Sequence, residues 1–487
     1  MPIVHSDRFD VVPHVGHVLD GKIISGHGSG TFVKTDPASG EVLAEVPNGT
    51  ARDVDAAVAS CQAAFPAWRA TNPVARRRIL LAIARKLREH EEELALLSVL
   101  ETGSIPGYPV TELPSDFYEY YAGWTDKNVG RLVPSYPHDG LGYVSYEPLG
   151  VVGALLSWNG PIGACGLKIA AALAGGNCVV LKPSELGPLG PIRFVELCLE
   201  AGLPDGVLNL VQGGPEVGTA IVEHPGIAKI TYTGGGAVGR QILANAGRLG
   251  KSVVLELGGK AANIVFEDAD LAVVVPAQAA LVTALAGQIC LKPARMLVQR
   301  SVYEEVAAGV AAHVAATKVG DPFAQGVAMG PLITAGARDR VRSYVEQAER
   351  DGSGVLLTGS EGLDAGLDSG YFVRPAVFGD VDPASALGQD ECFGPVLGLI
   401  PFDDEAQAIE IANATPYGLS AFVQTRDVSR AHRVAGALDA GYVGVNGMFE
   451  IRAGTPFGGV KGSGLGSEGG IEGMNEFLRR KHTEVYL

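Results

Sequence analysis

The chain has 487 residues, 47% of them hydrophobic and 19% charged, with a formal net charge of -16. That length suits roughly two to four domains, and the hydrophobic share is ordinary for a globular protein with a large core. The acidic balance argues against nucleic-acid and anionic-membrane binding, both of which need concentrated Lys and Arg.

Cys61, Cys165, Cys178, Cys198, Cys290 and Cys392 are scattered, with no CxxC pair and no paired His spacing. This predicts reduced thiols in a cytoplasmic compartment, no disulfide frame and no metal site. The opening MPIVHSDRFDVVPHVG has charges and prolines where a signal peptide needs an apolar core, so no export is expected. Residues 20–47 alternate in short apolar runs with turns at Asp36-Pro37 and Ser39-Gly40, the pattern of an antiparallel hairpin. A helix is expected from an N-cap at Thr50, with Val54, Ala57, Val58, Cys61, Ala64 and Phe65 on one face. A second long helix is expected from Pro73 to Leu100. Its Arg76, Arg77, Arg78, Arg85, Lys86 and Arg88 fall on a solvated side, where they would pair with acidic surroundings.

From 150 to 236 the pattern becomes strand–helix–strand. An apolar run over 151–156 ends at Ser157-Trp158-Asn159, a helix covers 168–174, and a strand over 177–181 ends at Lys182. A helix to about Glu200 and strands over 207–210 and 230–232 follow. This predicts a doubly wound parallel sheet with its ligand crevice at the carboxyl ends of the strands, just where Trp158, Asn159, Lys182, Glu185 and Gly234 lie. The loop Gly234-Gly235-Gly236-Ala237-Val238-Gly239 matches GxGxxG between a strand and a helix. Taken alone, it assigns Gly234, Gly236 and Gly239 to a pyrophosphate and Glu256, about twenty residues on, to a ribose hydroxyl.

The strand over 252–255 delivers Glu256 into a Gly258-Gly259 turn. The stretch from Leu271 to Leu291 carries no charge and is long enough to span a bilayer. Its Pro276, Gln278, Thr283 and Gln288 predict a buried core helix instead. Cys290 follows, flanked by Ile289 and Leu291, which would keep a thiol partly dry. Thiol and carboxylate could share one pocket, the first attacking and the second managing water. Beyond lies a second α/β unit: strands over 296–299, 355–357 and 397–400, with helices over 301–317, 335–351 and 404–414. Residues 484–487 read as a short edge strand without an obvious neighbour, a candidate for pairing across a subunit interface.

Val254-Leu255-Glu256-Leu257-Gly258-Gly259-Lys260, with Gly287-Gln288-Ile289-Cys290 about one helix later, resembles the aldehyde dehydrogenase superfamily, and the resemblance covers nearly the whole chain. It implies an α/β fold with a Rossmann-type coenzyme domain (1–131 and 149–258), an α/β catalytic domain (259–477) and a small β oligomerisation arm (132–148 and 478–487). A homodimer or homotetramer is the implied assembly, and the implied reaction is NAD-dependent oxidation of a small-molecule aldehyde to a carboxylic acid.

In the terms of that resemblance Cys290 is the nucleophile, while the Asn159 side chain and the Cys290 backbone N–H stabilise the oxyanion. Glu256 becomes the base that activates water, which displaces it from the ribose role. Lys182 and Glu185 take the adenosine ribose instead, and Glu185 would repel a 2′-phosphate, favouring NAD over NADP. A Lys–Glu surface pair is the bland alternative. Ser157, Trp158, Gly214, Gly234, Gly235, Gly239 and Leu257 complete the implied cofactor site. Glu391 would hold the nicotinamide ribose and Phe393 would pack beside the ring. Pro456-Phe457-Gly458-Gly459, with Lys461 and Gly464, resembles the loop closing the substrate funnel, where Phe457 would face the aldehyde and Asn446 is structural.

Three departures bear on substrate and cofactor. Gly160 stands where many members have a bulky aromatic, Leu291-Lys292-Pro293 follows the nucleophile instead of small polar residues, and Gly235-Gly236 replaces Ser-Thr. Arg452, between Asn446 and Phe457, would draw a carboxylate-bearing aldehyde or else sit in a surface ion pair. Two rivals share these motifs: an acylating dehydrogenase that passes the acyl group to coenzyme A, and a non-catalytic binding protein on the same fold. Retention of Glu256 weighs against the first, and of Cys290, Glu256 and Asn159 together against the second.

Overall fold

Largely apolar runs such as Val151–Leu155, Cys178–Lys182 and Ala261–Val265 are buried along their whole length, as strands covered on both faces must be. They belong to a computed structural model that describes residues 15–487 apart from 29, 108, 360 and 361. The N-terminal stretch read for an export signal lies, but for Val15 and Gly16, outside the described residues.

Among the described residues the strands form four sheets. The largest runs Gly464–Leu465, Ser252–Glu256, Lys229–Thr233, Val151–Leu155, Cys178–Lys182, Leu208–Leu210, His17–Leu19 and Lys22–Ile24. Its five central strands pair in parallel, and the outer three join antiparallel. The second large sheet runs Val355–Thr358, Ala376–Gly379, Val396–Phe402, Pro293–Gln299, Ala261–Val265, Ser420–Gln424 and Tyr442–Val445, parallel except at its first pair. The chain passes from one sheet to the other through residues 257–260.

The N-terminal region holds two hairpins rather than one. Thr31–Thr35 and Val42–Pro47 form the expected one, turning at Asp36-Pro37. The stretch 17–24 folds separately into the large sheet, because Asp20 and Gly21 both adopt left-handed φ (51° and 72°) and close a two-residue turn.

The helix expected from Pro73 to Leu100 is two helices, Pro73–Glu89 and Glu91–Thr102, separated at His90. The break frees Glu91 to accept from the backbone N–H groups of Val110 (2.8 Å) and Thr111 (2.9 Å). Arg76 is a correction, since it is buried rather than solvated. Its guanidinium donates to the carbonyls of Trp68 (2.9 Å), Arg69 (3.2 Å), Thr71 (3.3 Å) and Ala174 (3.1 Å) and stacks over the Trp68 ring. It thereby satisfies the free carbonyls at the C-termini of helices Ala51–Ala70 and Pro161–Ala174.

The uncharged stretch before Cys290 forms the helix Leu271–Thr283, shorter than its apolar run. Leu285 and Ala286, at φ 46° and 50°, end it in a tight turn. One face is buried, while Ala272, Val273 and Ala280 are exposed, so it is a half-buried helix rather than a buried one. No helix among the described residues is long and apolar enough to cross a membrane.

The C-terminal strand, Leu478–Tyr486, is longer than its sequence suggested and has a neighbour. It pairs antiparallel along its whole length with Gly140–Pro148, which also pairs with Arg131–Val133. Both faces of this small sheet are largely solvated, so Arg479, Arg480, Lys481 and His482 do not interrupt it.

Candidate active site

A cavity of about 700 Å³ opens at the carboxyl ends of Val151–Leu155, Cys178–Lys182, Lys229–Thr233 and Ser252–Glu256. The strand ends and the loops beyond them therefore supply its polar groups. At one end lie Lys182, Ser184 and Glu185. Burial lowers the Lys182 pKa, and its ammonium donates to the Pro183 carbonyl (3.0 Å) and the Glu185 carboxylate (3.4 Å). Val222, Val238 and Ile242 add an apolar slot beside them. In the middle, Gly234 and Gly235 line the wall where helix Gly236–Arg248 begins.

At the other end the cavity gathers Ser157, Trp158, Asn159, Glu256, Leu257, Cys290, Glu391 and Phe393. Cys290 is half-buried, and the other five cysteines are buried. The Gln288 side chain anchors the loop bearing Cys290 by donating to the Leu285 carbonyl (2.9 Å) and accepting from the Ile333 N–H (3.0 Å). The Gln288 carbonyl accepts from Asn159 Nδ2 at 2.9 Å, which brings that amide within two residues of the thiol. Burial pushes the Cys290 thiol up to about 12, and the Glu391 and Glu256 carboxyls add to the rise. The backbone N–H groups of Leu291 and Cys290 pull the other way.

Glu256 is 4% exposed, and neither of its oxygens has a hydrogen-bond partner among the described residues. Burial raises its pKa well above the carboxylate range, the Glu468 charge raises it further, and Lys168 opposes both. Lys168 and Glu468 are themselves buried and ion-paired. Across the cavity the Glu391 carboxylate accepts from the Gly259 N–H at 3.0 Å. Burial raises its pKa, and Lys260 and Lys292 lower it. The Phe393 ring meets Trp158 edge-on, centroids 5.7 Å apart.

Of the residues expected to bind a cofactor, Gly214 and Gly239 do not line the cavity. Gly214 caps helix Pro215–Glu223 and donates its N–H to Asn48 (3.2 Å). A Cβ at Gly239 would lie 2.5 Å from Leu257 Cδ2, so this glycine lets helix and strand pack closely. Ile289, Leu291 and Phe457 do not line the cavity but belong, with Leu167, Leu419, Phe449 and Ile451, to an apolar group that also includes Cys290. Gly160 is exposed, and a Cβ placed there would meet nothing within 4 Å. Arg452 is 67% exposed and paired at 2.5 Å with Glu450.

The aldehyde dehydrogenase family pattern matches residues 23–483. The chain belongs to that family. Among solved structures, a Burkholderia cenocepacia protein regarded as an aldehyde dehydrogenase is 37% identical, with a TM-score of 0.94 and 97% of each chain covered. The betaine aldehyde dehydrogenase of Staphylococcus aureus in complex with NAD+ is 34% identical, with a TM-score of 0.94 over 97% of this chain and 95% of that one. PnpE from Pseudomonas sp. WBC-3 is 36% identical, with a TM-score of 0.93 and 97% of each chain covered.

In this aldehyde dehydrogenase three charged residues of the site escaped the sequence reading. Lys168 carried a usable signal, as the sole charge in the apolar helix Pro161–Ala174. Glu468 lies in a glycine-rich loop and Arg340, which lines the cavity, on the charged helix Ala335–Arg350, so neither stood out. The raised thiol makes a direct prediction. Without cofactor, alkylation of Cys290 by iodoacetamide should climb about tenfold per pH unit between about pH 7 and 10. A plateau near pH 8 would contradict the burial argument.

Proposed function

We propose that this chain oxidises an aldehyde to a carboxylic acid with NAD, through a covalent intermediate on Cys290 hydrolysed by water that Glu256 activates. The observation that carries this reading is the shared cavity of Cys290, Glu256 and Asn159, whose far end holds Lys182, Glu185 and the glycine loop. The donor set suits a dinucleotide: Lys182 and Glu185 for the adenosine ribose, the apolar slot for its base, and the start of helix Gly236–Arg248 for the pyrophosphate. Glu391 suits the second ribose, with Trp158 and Phe393 beside the nicotinamide end. Bound NAD would supply the hydride acceptor.

The chain's own residues do the rest. Cys290 Sγ, once deprotonated, bonds to the carbonyl carbon, and the oxygen gains the negative charge. Asn159 Nδ2 and the Cys290 N–H are the donors for that charge. With the hydride gone to the bound acceptor, Cys290 Sγ would hold the carbon as a thioester. Glu256 then takes a proton from water, whose oxygen attacks the thioester carbon and releases the acid and the Cys290 thiolate. The carboxyl must be deprotonated to act, and Lys168 is the cation beside it that favours that form. Acyl transfer to coenzyme A needs no such base, which weighs against the acylating alternative.

Four tests follow from this reading. Cys290→Ala should lower turnover by about 10³-fold or more while NAD still binds, and Glu256→Gln should accumulate a thioester seen as added mass on Cys290. NAD affinity lost in Glu256→Gln with deacylation intact would return Glu256 to the ribose role. Glu185 in the cavity favours NAD over NADP by like-charge repulsion of a 2′-phosphate, so Glu185→Ala should shrink the NAD preference by about tenfold. An unchanged ratio refutes that role. Finally, the coenzyme, catalytic and arm divisions at 131, 148, 258 and 477 are proposed as domains, with the arm joining copies into a homodimer or homotetramer. The small sheet exposes Leu132, Leu141, Tyr143, Tyr146, Val485 and Tyr486, an apolar surface of the kind that subunits cover. Sedimentation of a monomer at micromolar concentration would overturn this assembly.

A further inference from the structure

We propose that the aldehyde this site takes carries an uncharged apolar substituent, aromatic or medium-chain aliphatic, selected chiefly by Phe449, Ile451 and Ile289. The inference rests on the functional reading above and narrows it. It comes from the two unlike sides of Cys290. One side faces the cavity with the Asn159, Glu256 and Glu391 polar groups. The other packs in an apolar group outside that cavity: Leu291, Leu419 and Phe457 buried, with Ile289, Phe449 and Ile451 half-buried against them.

A carbonyl carbon bonded to Sγ has three other substituents to place. Its hydrogen must face the cavity, where the hydride acceptor would lie. Its oxygen must face Asn159 Nδ2 and the Cys290 N–H. Only the remaining direction is left for the rest of the aldehyde, and that direction leads among the half-buried aliphatic and aromatic side chains. Half-buried apolar groups gain by covering their remaining surface, and only an apolar substituent covers them without losing its own hydration.

The charges near this side are already committed. Along 449–452 the side chains alternate, Phe449 and Ile451 joining the apolar group while Glu450 and Arg452 are 63% and 67% exposed and pair with each other at 2.5 Å. Glu468, which bonds the Phe457 backbone, is paired with Lys168. A carboxylate on the substrate therefore meets no uncommitted cation here. A quaternary ammonium meets two phenylalanine faces, a weaker cation platform than tryptophan, and the unpartnered acid near them, Glu256, is one whose charge burial suppresses.

The test is kcat/KM with NAD for hexanal and benzaldehyde against succinic semialdehyde and betaine aldehyde. The apolar pair should lead by roughly tenfold or more. Ile451→Asp should erase most of that lead while the Kd for NAD, read by fluorescence titration, stays unchanged. Equal or better turnover of either charged aldehyde, or an Ile451→Asp enzyme that keeps the wild-type ranking, overturns the inference and leaves the dehydrogenase reading standing. NAD binding with no oxidation of any aldehyde removes both.

Discussion

Residues 257–260 carry the chain from the first large sheet into the second, and the site is assembled on the bare backbone in the middle of that crossing. A Cβ at Gly258 would lie 2.1 Å from Glu391 Oε2, and one at Gly259 would lie 2.8 Å from the Cys290 carbonyl oxygen. The Gly259 N–H donates to Glu391, and the Gly258 carbonyl accepts from Ser463 Oγ at 2.7 Å. Three segments distant in sequence thus rest on two peptide units: the Cys290 loop, the Glu391 loop, and the C-terminal loop that follows Phe457. A side chain at Gly259 would push the Cys290 backbone away, which cannot yield as the end of a flexible side chain can, and one at Gly258 would displace the Glu391 carboxylate.

Once the backbones are that close, buried cations hold them in register. Lys260 donates to the Asp390 carbonyl (2.6 Å), and Lys292 to those of Gly394 (2.5 Å) and Val396 (3.2 Å). Arg295 donates to the carbonyls of Lys260, Ile411 and Ala412. The segment bearing Glu391 and Phe393 is therefore pinned on both sides. Burial pulls the lysines down to about 7 and about 8, so each can shed its proton rather than remain an uncompensated charge. Carbonyl partners still accept from a neutral amine. Lys292, a departure at the sequence level, finds its structural reason in this clamp.

The parallel strands and the residues at their carboxyl ends were legible because period, turn residues and chain order all agree on them. Cys290 and Glu256 stood out as a thiol and a carboxylate at glycine turns, whereas the role proposed for Asn159, and for Glu256 as a base, came from the resemblance to the family. What stayed hidden depended on tertiary partners. Arg76 sits in a stripe of basic residues, and nothing local separates it from Arg78, which is exposed. Its burial follows from two helix C-termini meeting around it. The nine-residue C-terminal strand was masked by its cationic centre, which a sheet solvated on both faces tolerates. Arg452 was placed near the funnel by position alone, whereas the alternation of 449–452 turns it outward toward Glu450.

The shifted groups also order the proposed chemistry in time. Burial pushes both the Cys290 thiol and the Glu256 carboxyl toward their neutral forms, and the Glu256 charge, if formed, would raise the thiol further. Two anions so close in a dry site repel strongly, so the two groups are best ionised in turn. The thiolate is needed first, for attack, while Glu256 can remain protonated. Once sulfur is bonded to carbon it carries no charge, and the electrostatic obstacle to ionising Glu256 falls at the step where a base is required. Lys168 then stands beside the new carboxylate, with Glu468 already its partner, so the proton from Glu256 leaves a site whose nearest cation is fixed in place. The same burial that suppresses both groups at rest thus makes their ionisation sequential, without any moving part.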